Sequence, residues 1–143
     1  MIFLLRKKEL HWFYQEGASF IYPDAWEKYL APISEEKRGD IMSSYYQILT
    51  GDDKSERYEA AKAWSIWEAS TSKLIQNQKS LHHFENSEVA DMFARIECHY
   101  FINKGFFESD SWILDNASKV SHIPTVIVQG RYDVVCPPIS AWE

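Results

Sequence analysis

A short apolar run that ends in an acid is the part of this chain whose residue order points most directly to chemistry. Residues 125–129 are mostly β-branched and follow a proline, which is typical of a buried strand. Gly130 supplies the open backbone that a sharp turn after a strand requires, and Asp133 lies just beyond it. A carboxylate in this position can orient the histidine of a Ser-His-Asp triad. Asp133 is therefore a candidate catalytic acid, although an aspartate that merely forms a turn is also common.

The other members of such a triad are not found in the sequence. In α/β-hydrolases the nucleophile precedes the acid, on a G-x-S-x-G elbow, and the histidine follows it. No two of the five glycines flank a serine at that spacing, and no histidine follows Asp133. We therefore expect an internal piece of a larger enzyme. Because both partners of the acid are lacking, we expect the chain to be inactive alone.

Four blocks of sequence, specific as a set, allow the family to be suggested. They are residues 2–6 with 12–19, residues 63–68, residues 94–101 and residues 128–133. In this order they resemble the central and C-terminal part of the proline iminopeptidases, serine aminopeptidases of the α/β-hydrolase superfamily that release N-terminal proline from peptides. The resemblance implies a mainly α fold. A helical cap, or lid, would occupy residues 1–120, and one core β-strand with the acid-bearing loop would occupy residues 121–143.

The chain before residue 120 indeed reads as five or six helices separated by polar breaks. Apolar residues recur at helical spacing, and Gly17 lies where a helix commonly ends. Residues that can cap the starts of further helices are Asp24, Ser34, Asp53 and Asn86 or Ser87. An apolar stripe on the last long helix comprises Val89, Met92, Phe93, Ile96 and Tyr100. The single strand that follows needs a sheet from another polypeptide, because it cannot pair with itself.

Glu68 and Glu97 are the candidate binding residues. On helices, Glu68 lies next to Trp67, and Glu97 shares a face with Phe93 and Tyr100. The resemblance places the family's amine-binding glutamates at these two positions, where they would bind the charged secondary amine of an N-terminal proline. Two anions in a partly dry pocket favour a cation. Alternatively, each glutamate pairs with a nearby basic residue such as Arg95, or stays at a solvated edge.

Three aromatic residues and one cysteine complete the candidate site. Phe3 and Phe13 match positions where the family supplies hydrophobic walls, and Tyr14 is their neighbour; ordinary core packing is the alternative for each. By resemblance Cys136 lies near the active site, where its expected role is packing and not nucleophilic attack. Cys98, His99, His82 and His83 lack convincing ligand spacing, so we predict no metal and no cofactor.

Composition limits the partners of the chain. The formal net charge of -6 over 143 residues argues against nucleic acid, and no apolar run is long enough to span a membrane. Two cysteines without a secretory signal pattern favour the cytoplasm. The expected partners are peptides with N-terminal proline and the rest of the hydrolase core. An unpaired strand and an uncovered lid surface also favour self-association.

Two other functions are compatible with the same residues. The chain could be a non-catalytic helical module that binds cationic peptides or amines through an acidic, aromatic pocket. It could also be the lid of another α/β-hydrolase, such as an esterase or epoxide hydrolase. Glu68 and Glu97 argue against this last alternative, because an ester or epoxide site has no use for two carboxylates.

Overall fold

A computed structural model describes residues 2–75, Phe84 and residues 86–143, and these residues form a mainly α fold, as predicted. His82 and His83, for which the sequence predicts no metal-binding role, lie outside the described residues. Short 3-10 segments cover Ala18–Phe20, Glu35–Asp40, Lys104–Phe106 and Ala117–Val120. The α-helices of the described part are α1 (Lys7–Tyr14), α2 (Pro23–Leu30), α3 (Ile41–Leu49), α4 (Lys54–Thr71), α5 (Ser87–Ile102), α6 (Trp112–Asp115) and α7 (Ile139–Trp142).

Two of the four predicted helix caps are confirmed. The Asp53 carboxylate accepts hydrogen bonds from the first amides of α4, and the Asn86 side chain does the same for α5. The predictions for Asp24 and Ser34 are wrong. Asp24 lies inside the first turn of α2, because the preceding proline already occupies the first helical position. Asp40, which accepts from the Ser43 amide at 3.0 Å, caps α3 in place of Ser34.

The core forms around α4, which packs against α2, α3 and α5. Trp64 and Trp67 of α4 are completely buried, as are Tyr29 of α2 and Tyr45 of α3. The Tyr29 and Tyr45 rings stack with their centroids 4.8 Å apart, and the Tyr45 hydroxyl donates to the Tyr29 carbonyl at 2.6 Å. A core built from large aromatic rings fixes the relative positions of the helices that carry the two candidate glutamates.

The face of α5 that packs on α4 is not the apolar stripe seen in the sequence. Alanines 90 and 94 and Cys98 are completely buried there, whereas Met92, Ile96 and Tyr100 of the stripe are at least half exposed. Small side chains occupy this contact face because they let two helices approach closely. The larger apolar residues are consequently left on the outer surface.

The predicted β-strand is not formed in the described residues. Residues 124–130 belong to no helix and to no paired strand, and the Val126 side chain is 87% exposed. A strand needs a neighbour to accept its ladder hydrogen bonds, and the described part of the chain offers none. The mainly α prediction is thus confirmed, while the strand prediction fails for the chain by itself.

The acid-bearing loop packs against α1 at the other end of the sequence. The Trp12 indole N–H donates to the Val134 carbonyl at 2.8 Å, and the Ser140 hydroxyl donates to Glu9 Oε1 at 2.6 Å. Arg6 pairs with both Glu9 and Glu143. Because Arg6 and Glu9 are both buried, these contacts hold the two ends of the chain together.

Candidate functional site

Glu68 and Glu97 come from the two helices at the centre of the fold and form an interacting pair. Glu68 lies near the end of α4, and Glu97 lies in the second half of α5. Both side chains are partly buried. Tyr14, which donates to Glu68, stacks on Trp64, which donates to Glu97, with their ring centroids 4.7 Å apart, so the two carboxyl groups lie in one neighbourhood. The charge of Glu97 raises the pKa of Glu68. The structure therefore brings together the two acids that the sequence singled out.

Each carboxyl group accepts one hydrogen bond from an aromatic side chain. The Tyr14 hydroxyl, from α1, donates to Glu68 Oε1. The Trp64 indole N–H donates to Glu97 Oε2 at 2.9 Å. The second oxygen of each glutamate makes no hydrogen bond within the described residues. One oxygen of each acid is thus fixed, and the other is left to bind something else.

Burial dominates the electrostatics of the pair. It raises the pKa of Glu68 to about 8, with a further contribution from the charge of Glu97 and an opposing one from the Tyr14 hydrogen bond. Burial also raises the pKa of Glu97 to about 6, opposed by the hydrogen bond from Trp64. Two like charges in a poorly solvated place cannot both be retained without cost, so near neutral pH the pair tends to keep a proton.

No basic side chain of the described residues neutralises either glutamate. Arg95, the partner considered from the sequence, contacts Asp91 at 3.7 Å, and Arg57 contacts the same aspartate at 3.1 Å. The local ion pair offered as an alternative for Glu97 is therefore wrong within this part of the chain. A pair of carboxyl groups that lacks a cation is suited to receive one.

The three candidate aromatic residues lie in one connected group of rings. Phe13 and Tyr14 are buried, and their ring centroids are 4.8 Å apart. Phe3 is partly exposed and meets the Phe101 ring edge-on at 5.9 Å. Phe101 in turn lies 5.2 Å from Tyr14. Phe3 presents an accessible face, whereas Phe13, only 2% exposed, is part of the core in this chain.

Asp133 is held in its loop by hydrogen bonds to both carboxylate oxygens. Oδ1 accepts from the Cys136 amide at 2.9 Å, and Oδ2 accepts from the Gln129 side chain at 3.1 Å. The same Gln129 nitrogen donates to the Cys136 carbonyl at 2.8 Å. The acid is partly buried beside a cleft of about 320 Å³ whose lining includes Tyr22 and Thr71. Gln129, which sequence reasoning did not single out, fixes the orientation of this carboxylate.

Both cysteines are buried free thiols of low reactivity. Burial raises the pKa of Cys136 to about 12, and the nearby charges of Asp133, Glu68 and Glu9 act in the same direction. Burial likewise raises the pKa of Cys98 to about 12. A thiol that stays protonated is a poor nucleophile.

Two other kinds of feature are not found in the described residues. They contain no group of three or more His, Cys, Asp and Glu side chains arranged to hold a metal ion. Among their helices, none is long and apolar enough to cross a membrane. The absence of a cofactor stays a prediction from the sequence.

Trp64 and Trp12 are site residues that sequence reasoning missed. Trp64 lies four residues before Glu68, and this spacing suggested that the two share a helix face. The spacing could not show that the indole N–H of Trp64 instead points to Glu97 on another helix. The bond from Trp12 to Val134 joins residues 122 positions apart, and no local sequence signal predicts such a contact.

Known proteins align with almost the whole chain. The chain is 62% identical over 141 residues to a "Probable proline iminopeptidase" from Leptolyngbya boryana, an alignment that covers 99% of this chain and 44% of that protein. It is 52% identical to a "Proline iminopeptidase" from Arabidopsis thaliana and 43% identical to one from Neisseria gonorrhoeae. These alignments cover 99% of this chain and 38% and 45% of those relatives. The chain thus spans less than half the length of these curated relatives.

No protein-family model matches the chain.

Proposed function

The chain belongs to the proline iminopeptidase family, and we propose that it supplies the amine-binding lid and the triad acid of a serine aminopeptidase that releases N-terminal proline from peptides. The observation that carries the proposal is the pair of partly buried glutamates without a basic partner in the described residues. Residues 1–120 would form the lid, and residues 121–143 would belong to the hydrolase core.

The free oxygens of the pair fit a secondary ammonium ion. The amine of an N-terminal proline is cyclic, positively charged and carries two N–H donors. Glu68 and Glu97 each leave one oxygen without a hydrogen bond in the described residues, so two acceptors meet two donors. Binding a cation between the acids also relieves their mutual repulsion. The exposed face of Phe3 would contact the apolar side of the proline ring.

Asp133 would take part in the chemistry as the acid of the catalytic triad. Its carboxylate would accept a hydrogen bond from a histidine and stabilise the imidazolium that forms when a serine attacks the carbonyl of the prolyl residue. Serine, histidine and oxyanion hole would come from parts of the protein outside residues 1–143. The isolated chain is therefore expected to release no proline.

The decisive experiment removes the charges one at a time from the full-length protein that contains this chain. Glu68→Gln and Glu97→Gln should each lower kcat/KM for proline-naphthylamide by about 100-fold or more, because a bound cation would lose a charged partner. The matched control is Glu59→Gln, an exposed glutamate on the same helix as Glu68. Full activity in both variants would contradict the amine site.

A second candidate function follows from the fact that one chain forms the whole glutamate pair. Such a chain could bind cationic amines without any catalysis. Titration of the 143-residue chain with proline amide, followed by NMR, should then shift the resonances of the Glu68 and Glu97 side chains. N-acetylproline amide, which lacks the positive charge, is the control ligand and should shift neither.

Self-association is the remaining partner proposal. Its support is the run of exposed apolar side chains at 126–128. Light scattering should show a mass that rises with protein concentration. A monomer at every concentration would contradict it.

A further inference from the structure

The two glutamates of the site are held by a single stack of aromatic rings. Tyr14 from α1 and Trp64 from α4 lie with their ring centroids 4.7 Å apart and their planes 17° from parallel. Trp64 is completely buried and Tyr14 is 4% exposed. Rings packed this tightly have no alternative rotamer within reach, so their polar atoms occupy fixed positions.

Each hydrogen-bond donor of the stack binds a carboxyl group that belongs to a different helix from its own. Trp64 and Glu68 both belong to α4, yet the Trp64 N–H donates to Glu97 on α5. Glu68 receives its hydrogen bond from Tyr14 on α1. Each carboxyl group is thus oriented by a side chain from a different helix. Three helices consequently contribute to the geometry of one pair of acids.

We propose that Tyr14 and Trp64 are positioning residues, whose stacked rings set the orientation and spacing of the Glu68 and Glu97 carboxyl groups for a cationic ligand. In this role Tyr14 contacts the Glu68 carboxyl group and does not contact the substrate. The residues that form the walls of the pocket, in contrast, would contact the substrate. The proposal rests on the proposed function for the identity of the ligand. The positioning itself can be tested without any ligand.

A positioning role differs from a packing role in its effect on the acids. Both hydrogen bonds stabilise the ionised carboxylate, so each opposes the burial that raises the pKa of its partner. Removing a donor must therefore raise the titration midpoint of the carboxyl group that loses it. Removing ring volume alone should lower stability without moving that midpoint.

The test uses the 143-residue chain with ¹³C-labelled glutamate side chains, titrated by NMR between pH 4 and 9. Trp64→Phe should raise the midpoint of Glu97 by about one pH unit. Tyr14→Phe keeps its ring and should raise the midpoint of Glu68 by a similar amount. Because the two acids interact, both midpoints move, but the larger change belongs to the acid that lost its donor. The buried thiols and phenols ionise above this range.

Trp67→Phe is the matched control. Trp67 lies on the same helix, is equally buried, and its indole nitrogen has no hydrogen-bond partner among the described residues. This variant should lose a similar amount of stability and leave both midpoints in place. Equal shifts in Trp64→Phe and Trp67→Phe, or no shift in Tyr14→Phe, would overturn the positioning role. If proline amide does not bind the wild-type chain, this result counts against the proposed ligand. It does not affect the test of the positioning role.

Discussion

Glu68 is the residue whose charge state has the largest consequence for the folded chain. Its pKa is about 8 in the fold, against an ordinary value of 4.5, because burial and the charge of Glu97 disfavour the ionised form. Between these two pH values the folded chain holds a proton that the unfolded chain has released. Linkage then requires stability to fall as pH rises through this window. The same pair that would attract a cation therefore destabilises the folded chain when no cation is bound.

Glu68→Gln should remove most of this pH dependence. The amide keeps an oxygen to accept the Tyr14 hydrogen bond and has no charge to desolvate. Each unit of pKa shift changes the free energy of unfolding by about 1.4 kcal/mol. The variant should therefore be more stable than wild type at pH 8 and close to wild type in stability at pH 5. Urea denaturation at the two pH values measures the difference. The control is Glu59→Gln, which changes an exposed residue. If stability depends on pH as steeply in Glu68→Gln as in the wild type, Glu68 ionises with its ordinary pKa.

Sequence reasoning worked at this scale where the signal was local. Asp53 and Asn86 were correctly assigned as helix caps because a cap binds amides only two or three residues away. Ser34 was predicted to cap the helix that Asp40 in fact caps, because both residues precede apolar residues at helical spacing and the sequence does not rank them. The crosswise bond from Trp64 to Glu97 could not be predicted, because it depends on how two distant helices pack.

At the scale of elements, the turn after α1 depends on a glycine. Gly17 has a φ of +143°, and a Cβ atom added there would lie 2.3 Å from Cε3 of Trp12. Trp12 holds the acid-bearing loop through its bond to the Val134 carbonyl. The glycine thus gives room to the indole that joins α1 to the loop of Asp133.

Gly17→Ala should consequently destabilise the chain by roughly 1–3 kcal/mol, through backbone strain and a displaced Trp12. The matched control is Gly39→Ala, because an added Cβ at that position meets nothing within 4 Å. It should be neutral or slightly stabilising. Urea denaturation of the two variants gives the comparison, and equal stabilities would mean that the turn adapts to a side chain.

Packing of elements is also where sequence patterns misled. The apolar stripe of α5 suggested an inward face, yet Ala90 and Ala94 make the contact with α4, while Met92 and Ile96 face outward. Hydrophobic periodicity weights large side chains, but the closest helix contacts favour small ones. The strand predicted at 125–129 fails for a different reason, since its residues have strand propensity but form no β-ladder in the described part of the chain.

At the scale of the whole molecule, the buried ion pair of Arg6 and Glu9 connects the two ends of the chain, because Glu9 also accepts a hydrogen bond from Ser140 and Arg6 also pairs with Glu143. Burial by itself would raise the pKa of Glu9, but hydrogen bonds from Ser140 and Arg6, together with the charge of Arg6, outweigh it and lower the pKa. A lowered carboxyl pKa stabilises the fold above about pH 4.5, and this contribution is lost as pH falls through the lower value in the fold.

Glu9→Gln should therefore destabilise the chain by on the order of 3 kcal/mol at pH 7, because Arg6 stays buried with one partner fewer. This loss of stability should be smaller at acid pH, because Glu9 of the wild-type chain is then also uncharged. Glu143→Gln is the control: it removes the other, more exposed partner of Arg6 and should have a smaller effect. Thermal unfolding monitored at pH 7 and pH 3 measures both. Equal losses at the two pH values would indicate a packing role for Glu9.

We expect the exposed apolar run at 126–128 to control any association of the molecule with other copies of itself. The side chains of Val126 and Val128 are 87% and 82% exposed, and an exposed apolar surface of this kind favours contact with a second copy. Val126→Lys should therefore lower the concentration dependence of the mass seen by light scattering, because a charge opposes close pairing. Ser118→Lys adds the same charge to an exposed turn outside the run and should leave association unchanged. If both variants reduce association equally, net charge and not the apolar run controls it.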